Sequence, residues 1–275
     1  MDERTRPTEV SNSSPVSEQA LLLDDGHPHF VGAMGLENWF EGETTYGKAA
    51  IGELLCVPGT PYPRISVLAT MVDIVAGSRP TGPINPTVDL HLQVMALVPM
   101  SAVRFRCEVL RSGRRLFVGE TRLYADAWAE PFGRSVVTFI NKPPAFALDA
   151  PTIARSLTPP LRVHIDELLG VRDVDDTTIE IDPIPRLSNG PGGTLQGGVV
   201  ALLGELATEH ALSKSPVAVT DLDIRYLNPV RVGPVQALAD VLSNGEEEAA
   251  VNVRIVDRGD DERIVAHVAT TARRL

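Results

Sequence analysis

Several scarcities bound what this chain can do. Aromatic residues make up only 5% of its 275 positions, and it holds just two cysteines and six histidines. Basic residues are outnumbered by acidic ones, 25 against 36, for a net charge of −11. Without a basic surplus there is nothing to neutralise a run of phosphates, so nucleic-acid binding is excluded. Cys56 and Cys107 have neither the spacing of a metal site nor that of a disulfide framework, and read as small buried hydrophobes in a reducing compartment. No Cys/His set has ligand spacing, so neither a metal nor a cofactor is expected. No apolar run approaches the roughly 20 residues of a membrane span. The opening, MDERTRPTEVSNSSPVSEQA, is polar and lacks a signal core. These absences point to a cytoplasmic protein without membrane contact. What the chain does have is 43% apolar residues, enough for packed cores in one large domain or two ordinary ones.

A duplication decides between those two. Asp73 and Glu205 lie 132 positions apart, as do Asp89 and Asp221, Gly113 and Gly245, and Arg122 and Arg254. The same offset of 132 matches Leu55 with Leu187, Val67 with Val199, Leu90 with Leu222, and Val109 with Val241. No gap is needed from Leu55 to Arg122, and fixed-period self-similarity signals repeated structure. The expected layout is a polar tail (1–26), a first unit (27–141), a Pro-rich linker (142–161) and a second unit (162–275).

Each copy carries the same run of patterns. A strand is expected over Tyr46–Leu55 and again over Thr178–Leu187. A Pro/Gly loop follows, then a helix, Ile65–Val75 in one copy and Gly197–Ala211 in the other, apolar on nearly every face and therefore buried. Three strands come next in the first copy: Thr87–Ala96, Ala102–Arg111 and Leu116–Ala127. Four come next in the second: Val217–Leu227, Val235–Leu242, Ala249–Val256 and Arg263–Ala272. Short helices are expected over 30–40 and Val163–Leu169. A strand, a buried helix and an antiparallel meander make an α+β unit in which one curved sheet wraps one helix.

The stretch with the most chemistry is NGPGGTLQGGVVALLGE, Asn189 to Glu205. Its glycines leave backbone N–H groups bare where a helix begins, and the first turn of a helix has unpartnered donors and a partial positive charge. Such a place holds an anion or polarises a carbonyl. Carboxylates in apolar helices are rare unless paired or functional, and here Asp73 and Glu205 occupy matched positions. Glu205 has a structural reading too, as the partner of Arg64 in a buried ion pair. Arg104, Arg106, Arg111, Arg114 and Arg115 form a basic cluster, either a solvated hairpin or a grip for phosphates. His91 reads as structural or solvent-facing.

These residues resemble the hotdog-fold thioesterases of the phenylacetic-acid-degradation and 4-hydroxybenzoyl-CoA types. That motif runs Asn, a Gly-containing loop, His-Gly-Gly, and an acid nine residues after the His. Here it is matched by Asn189, Gly192, Gly193, Gln196-Gly197-Gly198 and Glu205, with Gln196 replacing the His. The first copy keeps the acid, Asp73, but has Arg64-Ile65-Ser66 and Val57 where the second has Gln196-Gly197-Gly198 and Asn189. The resemblance implies a tandem double hotdog that hydrolyses an acyl-CoA thioester. In the family, the acid of one unit faces the glycine loop of the other. Carried over, this implies one composite site in which Asp73 is base or nucleophile and Gly197, with Gly198, receives the carbonyl. Asn189 and Gln196 would orient the substrate, and Thr87 would assist the acid. Gly193, Gly198, Arg104 and Arg106 would bind substrate, and Glu205 would be the remnant acid. A homo-oligomer, a dimer or trimer of double hotdogs, is implied as well. Two alternatives stay open: a hotdog hydratase or dehydratase, and a non-catalytic acyl-CoA-binding protein.

Overall fold

In the computed structural model, residues 28–78, 86–126, 129–141, 161–189, 194–213 and 216–275 are described. The expected tail, Gly193 and all but the last residue of the expected linker lie outside them. The strands follow the period-two alternation that puts successive side chains on opposite faces. Along β4 (Ala102–Ser112), Val103, Phe105 and Cys107 are buried while Arg104, Arg106 and Glu108 alternate with them on the other face. Along β3 (Thr87–Val94), Leu90, Leu92 and Val94 are buried between Asp89, His91 and Gln93.

The first half of the chain adds β1 (Glu37–Glu41), β2 (Thr44–Ala50), β5 (Leu116–Ala125) and β6 (Gly133–Ile140). The second half supplies β7 (Arg172–Asp175), β8 (Thr178–Ile181), β9 (Val217–Tyr226), β10 (Val235–Asn244), β11 (Glu248–Asp257) and β12 (Arg263–Arg274). All twelve join one antiparallel sheet in the order β1-β2-β4-β5-β6-β3-β9-β12-β11-β10-β8-β7. The halves meet where β3 pairs with β9, with Leu90 opposite Ile224 and Leu92 opposite Leu222. The 132-residue offset maps β5 onto β11, and a 3-10 turn at Glu53–Leu55 onto one at Pro185–Leu187, residue for residue.

Two α-helices lie on the inner face among the described residues, α1 (Ile65–Gly77) and α2 (Gly197–Ala211). Each is wedged between the sheet and the other helix, which explains why it is apolar all round. They run antiparallel. Ser66 of α1 reaches Glu205 of α2, and Gly198 of α2 abuts Thr70 of α1. A Cβ at Gly198 would overlap the Thr70 hydroxyl, so the close approach requires glycine. No described helix is long and apolar enough to cross a membrane.

Several expectations are corrected. The strand placed over Tyr46–Leu55 ends at Ala50, where Gly52 opens the 3-10 turn. That over Thr178–Leu187 ends at Ile181, because Pro183 and Pro185 have no N–H to give a ladder. The helix expected within 30–40 is a 3-10 turn, Gly32–Met34, followed by β1, and that at Val163–Leu169 shrinks to Glu167–Leu169. Strands β1, β6 and β7 were not anticipated. Extended past Arg122, the offset maps β12 onto β6 and would have revealed it.

Gly198→Ala should therefore cost about 1–3 kcal/mol, the usual range for overpacking a filled interior. Urea unfolding followed by circular dichroism measures it, and no change in midpoint would contradict the close helix crossing.

Candidate active site

Asp73 projects from the middle of α1, where neighbouring residues are buried core. Its carboxylate is largely desolvated and accepts a 2.5 Å hydrogen bond from the hydroxyl of Thr87, the first residue of β3. Burial pushes its pKa up to about 6, and the Thr87 bond partly offsets this. Tyr226, the last residue of β9, donates its hydroxyl to the Gly197 carbonyl at 3.0 Å. Burial, reinforced by the nearby Asp73 charge, holds the phenol well above its usual pKa, so it stays protonated. Tyr226 thus stands between the acid of the first half and the helix start of the second.

At that helix start, Gln196 is the N-cap and is buried. Its side-chain oxygen accepts from the N–H groups of Gly198 at 2.5 Å and Val199 at 3.2 Å. Two of the orphan donors of the first turn are consumed in this way. The Gly197 N–H has no partner among the described residues. A Cβ on Gly197 would stand in ordinary contact with Tyr226, 3.4 Å from its hydroxyl and 3.5 Å from its ring, so the two residues are packed against one another.

Among the sequence candidates, the structure joins Asp73 to Thr87 by a hydrogen bond and sets Gln196 and Gly197 side by side at the start of α2, with Tyr226 bonded to Gly197. It departs from expectation at Gly198, whose N–H is occupied by Gln196. Asn189 is exposed and its N–H donates to Thr194 O at 2.9 Å, pinning the neck of the glycine loop. Arg104 and Arg106 project from the other face of the sheet. There Arg104 donates to Asp126 O at 2.9 Å and Arg106 pairs with Glu108 at 2.7 Å. Tyr226 was missed. The signal available was the offset, which sets it against Val94, a polar residue where the other copy is apolar.

The corresponding place in the other half is closed. Glu205 is 0% exposed and accepts from the Ser66 N–H at 2.9 Å and from the Ser66 hydroxyl. Arg64, 1% exposed, lies 3.6 Å from Glu205, 2.8 Å from Glu209 and 2.7 Å from Asp166. Burial opposes the charge on Arg64, but the three carboxylates more than compensate and raise its pKa. Glu209 is pushed above the usual carboxylate range by burial, with Arg64 drawing it back. At the 132-residue offset, Val219 replaces Thr87 and Val94 replaces Tyr226, and both line a small apolar cavity with Leu68 and Phe132. One acid is sealed against a buried serine and arginine, while the other accepts from the Thr87 hydroxyl and has no cation beside it among its described ion pairs.

Comparison with solved structures places this architecture. A TesB protein from Mycobacterium avium subsp. paratuberculosis is 13% identical, with a TM-score of 0.62, over 89% of this chain and 98% of its own. A 12:0-ACP thioesterase from Umbellularia californica is 10% identical, with a TM-score of 0.60, over 85% and 95%. A protein of unknown function with a hot dog fold from Alicyclobacillus acidocaldarius is 13% identical, with a TM-score of 0.58, over 90% and 98%. At these identities the likeness shows the fold, which is that of the hotdog proteins. No protein-family model matches the sequence, and no curated protein matches it.

Two stability outcomes follow. Folded Asp73 holds its proton up to about pH 6, whereas the unfolded chain releases it near the ordinary aspartate value of 3.8. Ionising Asp73 therefore destabilises the fold as pH rises through that window. Asp73→Asn should raise the melting temperature at pH 7.5, by up to about 3 kcal/mol in stability, and the gain should vanish at pH 4. Arg64→Met should lose about 3–5 kcal/mol, because it strands buried carboxylates. Denaturant titration of both variants checks these signs.

Proposed function

We propose that the chain is a double hotdog, two such units in tandem, and that it hydrolyses acyl-CoA thioesters at one composite site. The observation that carries this is Tyr226, which donates to the Gly197 carbonyl of the second half and feels the charge of Asp73 from the first, beside a Gly197 N–H that has no partner among the described residues. The thioesterases among the structures of like fold support the reaction class, and an acyl-CoA thioesterase II from Mycobacterium marinum, 14% identical with a TM-score of 0.54, supports a coenzyme A ester.

In this reading the thioester carbonyl oxygen rests on the Gly197 N–H at the start of α2. The ionised Asp73 takes a proton from water, and the resulting hydroxide adds to the carbonyl carbon. Negative charge gathers on the oxygen, where a preorganised donor is worth roughly 3–4 kcal/mol. The C–S bond then breaks. The carbonyl re-forms as the free acid, and the thiolate takes the proton back from Asp73. A base with a pKa near the working pH suits this exchange. Thr87 holds the Asp73 carboxylate in place. Thiolate is a good leaving group and needs little help, so a histidine at position 196 is dispensable. Gln196 has no proton to exchange and its oxygen is committed to the cap, which argues against hydration or dehydration with a second acid–base group. We take the enzyme to be a homo-oligomer, a state that light scattering reads directly.

Thiol release from a panel of acyl-CoA esters tests the proposal. Asp73→Asn should lower kcat by about a hundredfold or more, the usual weight of a general base. Glu205→Gln, on the sealed side, should leave kcat within about threefold; at constant binding that is less than about 1 kcal/mol in barrier. The reverse ranking would overturn the assignment. Because Asp73 must be ionised, kcat/KM should be flat above about pH 6 and fall below it, the limb following the raised pKa of this carboxyl. A limb near 4 would contradict the role given to its burial.

A further inference from the structure

Gln196 creates a shortage at the site. The helix start offers its first three N–H groups, and the side chain of Gln196 takes those of Gly198 and Val199. A developing oxyanion is then left with one backbone donor, Gly197. A second donor has to come from a side chain that borders the same space.

Tyr226 meets that requirement. Its hydroxyl oxygen lies 3.4 Å from where a Cβ on Gly197 would stand, so hydroxyl and amide flank one bare glycine. The ring is held against that glycine, which fixes the hydroxyl without any long flexible stem. Its present acceptor is the Gly197 carbonyl at 3.0 Å. Rotation about the C–O bond is enough to redirect the proton toward an incoming oxygen. The phenol is also kept neutral by burial and by the Asp73 charge, so it remains a donor when Asp73 is a working base.

The comparison of the two halves points the same way. Around Asp73 the chain carries Thr87, Gly197, Gly198 and Tyr226; around Glu205 the same positions hold Val219, Ile65, Ser66 and Val94. Three of the four differences were already accounted for by the acid's partner and the bare helix start. Tyr226 is the fourth, and its counterpart Val94 is a buried aliphatic residue with no hydrogen-bond donor to offer.

We infer that Tyr226 is a catalytic residue that donates its hydroxyl hydrogen bond to the thioester carbonyl, forming a two-donor oxyanion site with the Gly197 N–H. The inference rests on the hydrolase reading above. It adds no covalent step, since the phenol keeps its proton and strengthens one hydrogen bond as charge develops on the oxygen.

Tyr226→Phe keeps the ring and removes only the donor. Assayed on whichever acyl-CoA the wild type turns over fastest, it should lower kcat at least tenfold with KM within about twofold, the signature of an interaction made only in the transition state. The acid limb set by Asp73 should stay where it is. A purely structural tyrosine predicts the opposite: a lower melting temperature with kcat unchanged, which would overturn the inference while leaving the hydrolase intact. Rising KM at constant kcat would also overturn it, since that describes uniform binding. If wild type releases no thiol from any ester in the panel, the hydrolase reading fails and this one fails with it. Should Tyr226→Phe fold poorly, Tyr226→Trp supplies a second arm. It restores a ring and an N–H in a displaced position, and full wild-type kcat there would sink the claim for a fixed hydroxyl.

Discussion

Everything distinctive about this molecule depends on the antiparallel contact between α1 and α2. Because the helices cross head to tail, Glu205 in the middle of α2 meets the first turn of α1, and Gly198 in the first turn of α2 meets Thr70, three residues before Asp73. A helix start is one of the few places where a buried carboxylate or an incoming carbonyl oxygen finds ready donors. The crossing also fixes which residues must be small, since a side chain at Gly198 would collide with that of Thr70.

A duplicated unit poses the same electrostatic problem twice, and the two halves solve it differently. Glu205 is taken out of circulation by Ser66 and by Arg64, which is itself ringed by Asp166 and Glu209. That cluster ties the loop before α1 to the far half of the chain, so it fastens one copy to the other. Asp73 receives a single hydroxyl and no cation among its described hydrogen bonds and ion pairs, and its ionisation is costly as a result. Under the proposed function, reactivity falls to Asp73. Buried ion networks are poor sources of net stability but are severe when broken, which suits a remnant retained as a fastening.

The sequence made the repeat legible because the 132-residue offset holds without a gap through the helix and the strands that follow. It also made the two acids and the glycine helix start legible, since each is a chemical oddity in its setting, whereas Thr87 was marked by the family resemblance alone. Two strand ends were overrun even though Gly52 in one and Pro183 and Pro185 in the other mark them, and β1 and β7, short and at the sheet edges, carry little pattern of their own. The use of Gln196 as a cap could not be read, because nothing in a sequence says whether an amide oxygen turns inward to its own helix or outward to a ligand. Tyr226 escaped for a related reason. It ends a strand and neighbours no motif, and only a position-by-position contrast between the copies marks it out.

The most direct measurement is a crystal structure with a non-hydrolysable acyl-CoA analogue. The account predicts density for one analogue per chain, its carbonyl oxygen within hydrogen-bond distance of the Gly197 N–H and its carbonyl carbon facing Asp73. An analogue seated between Ser66 and Glu205, with the Arg64 cluster opened to admit it, would contradict the account at its centre.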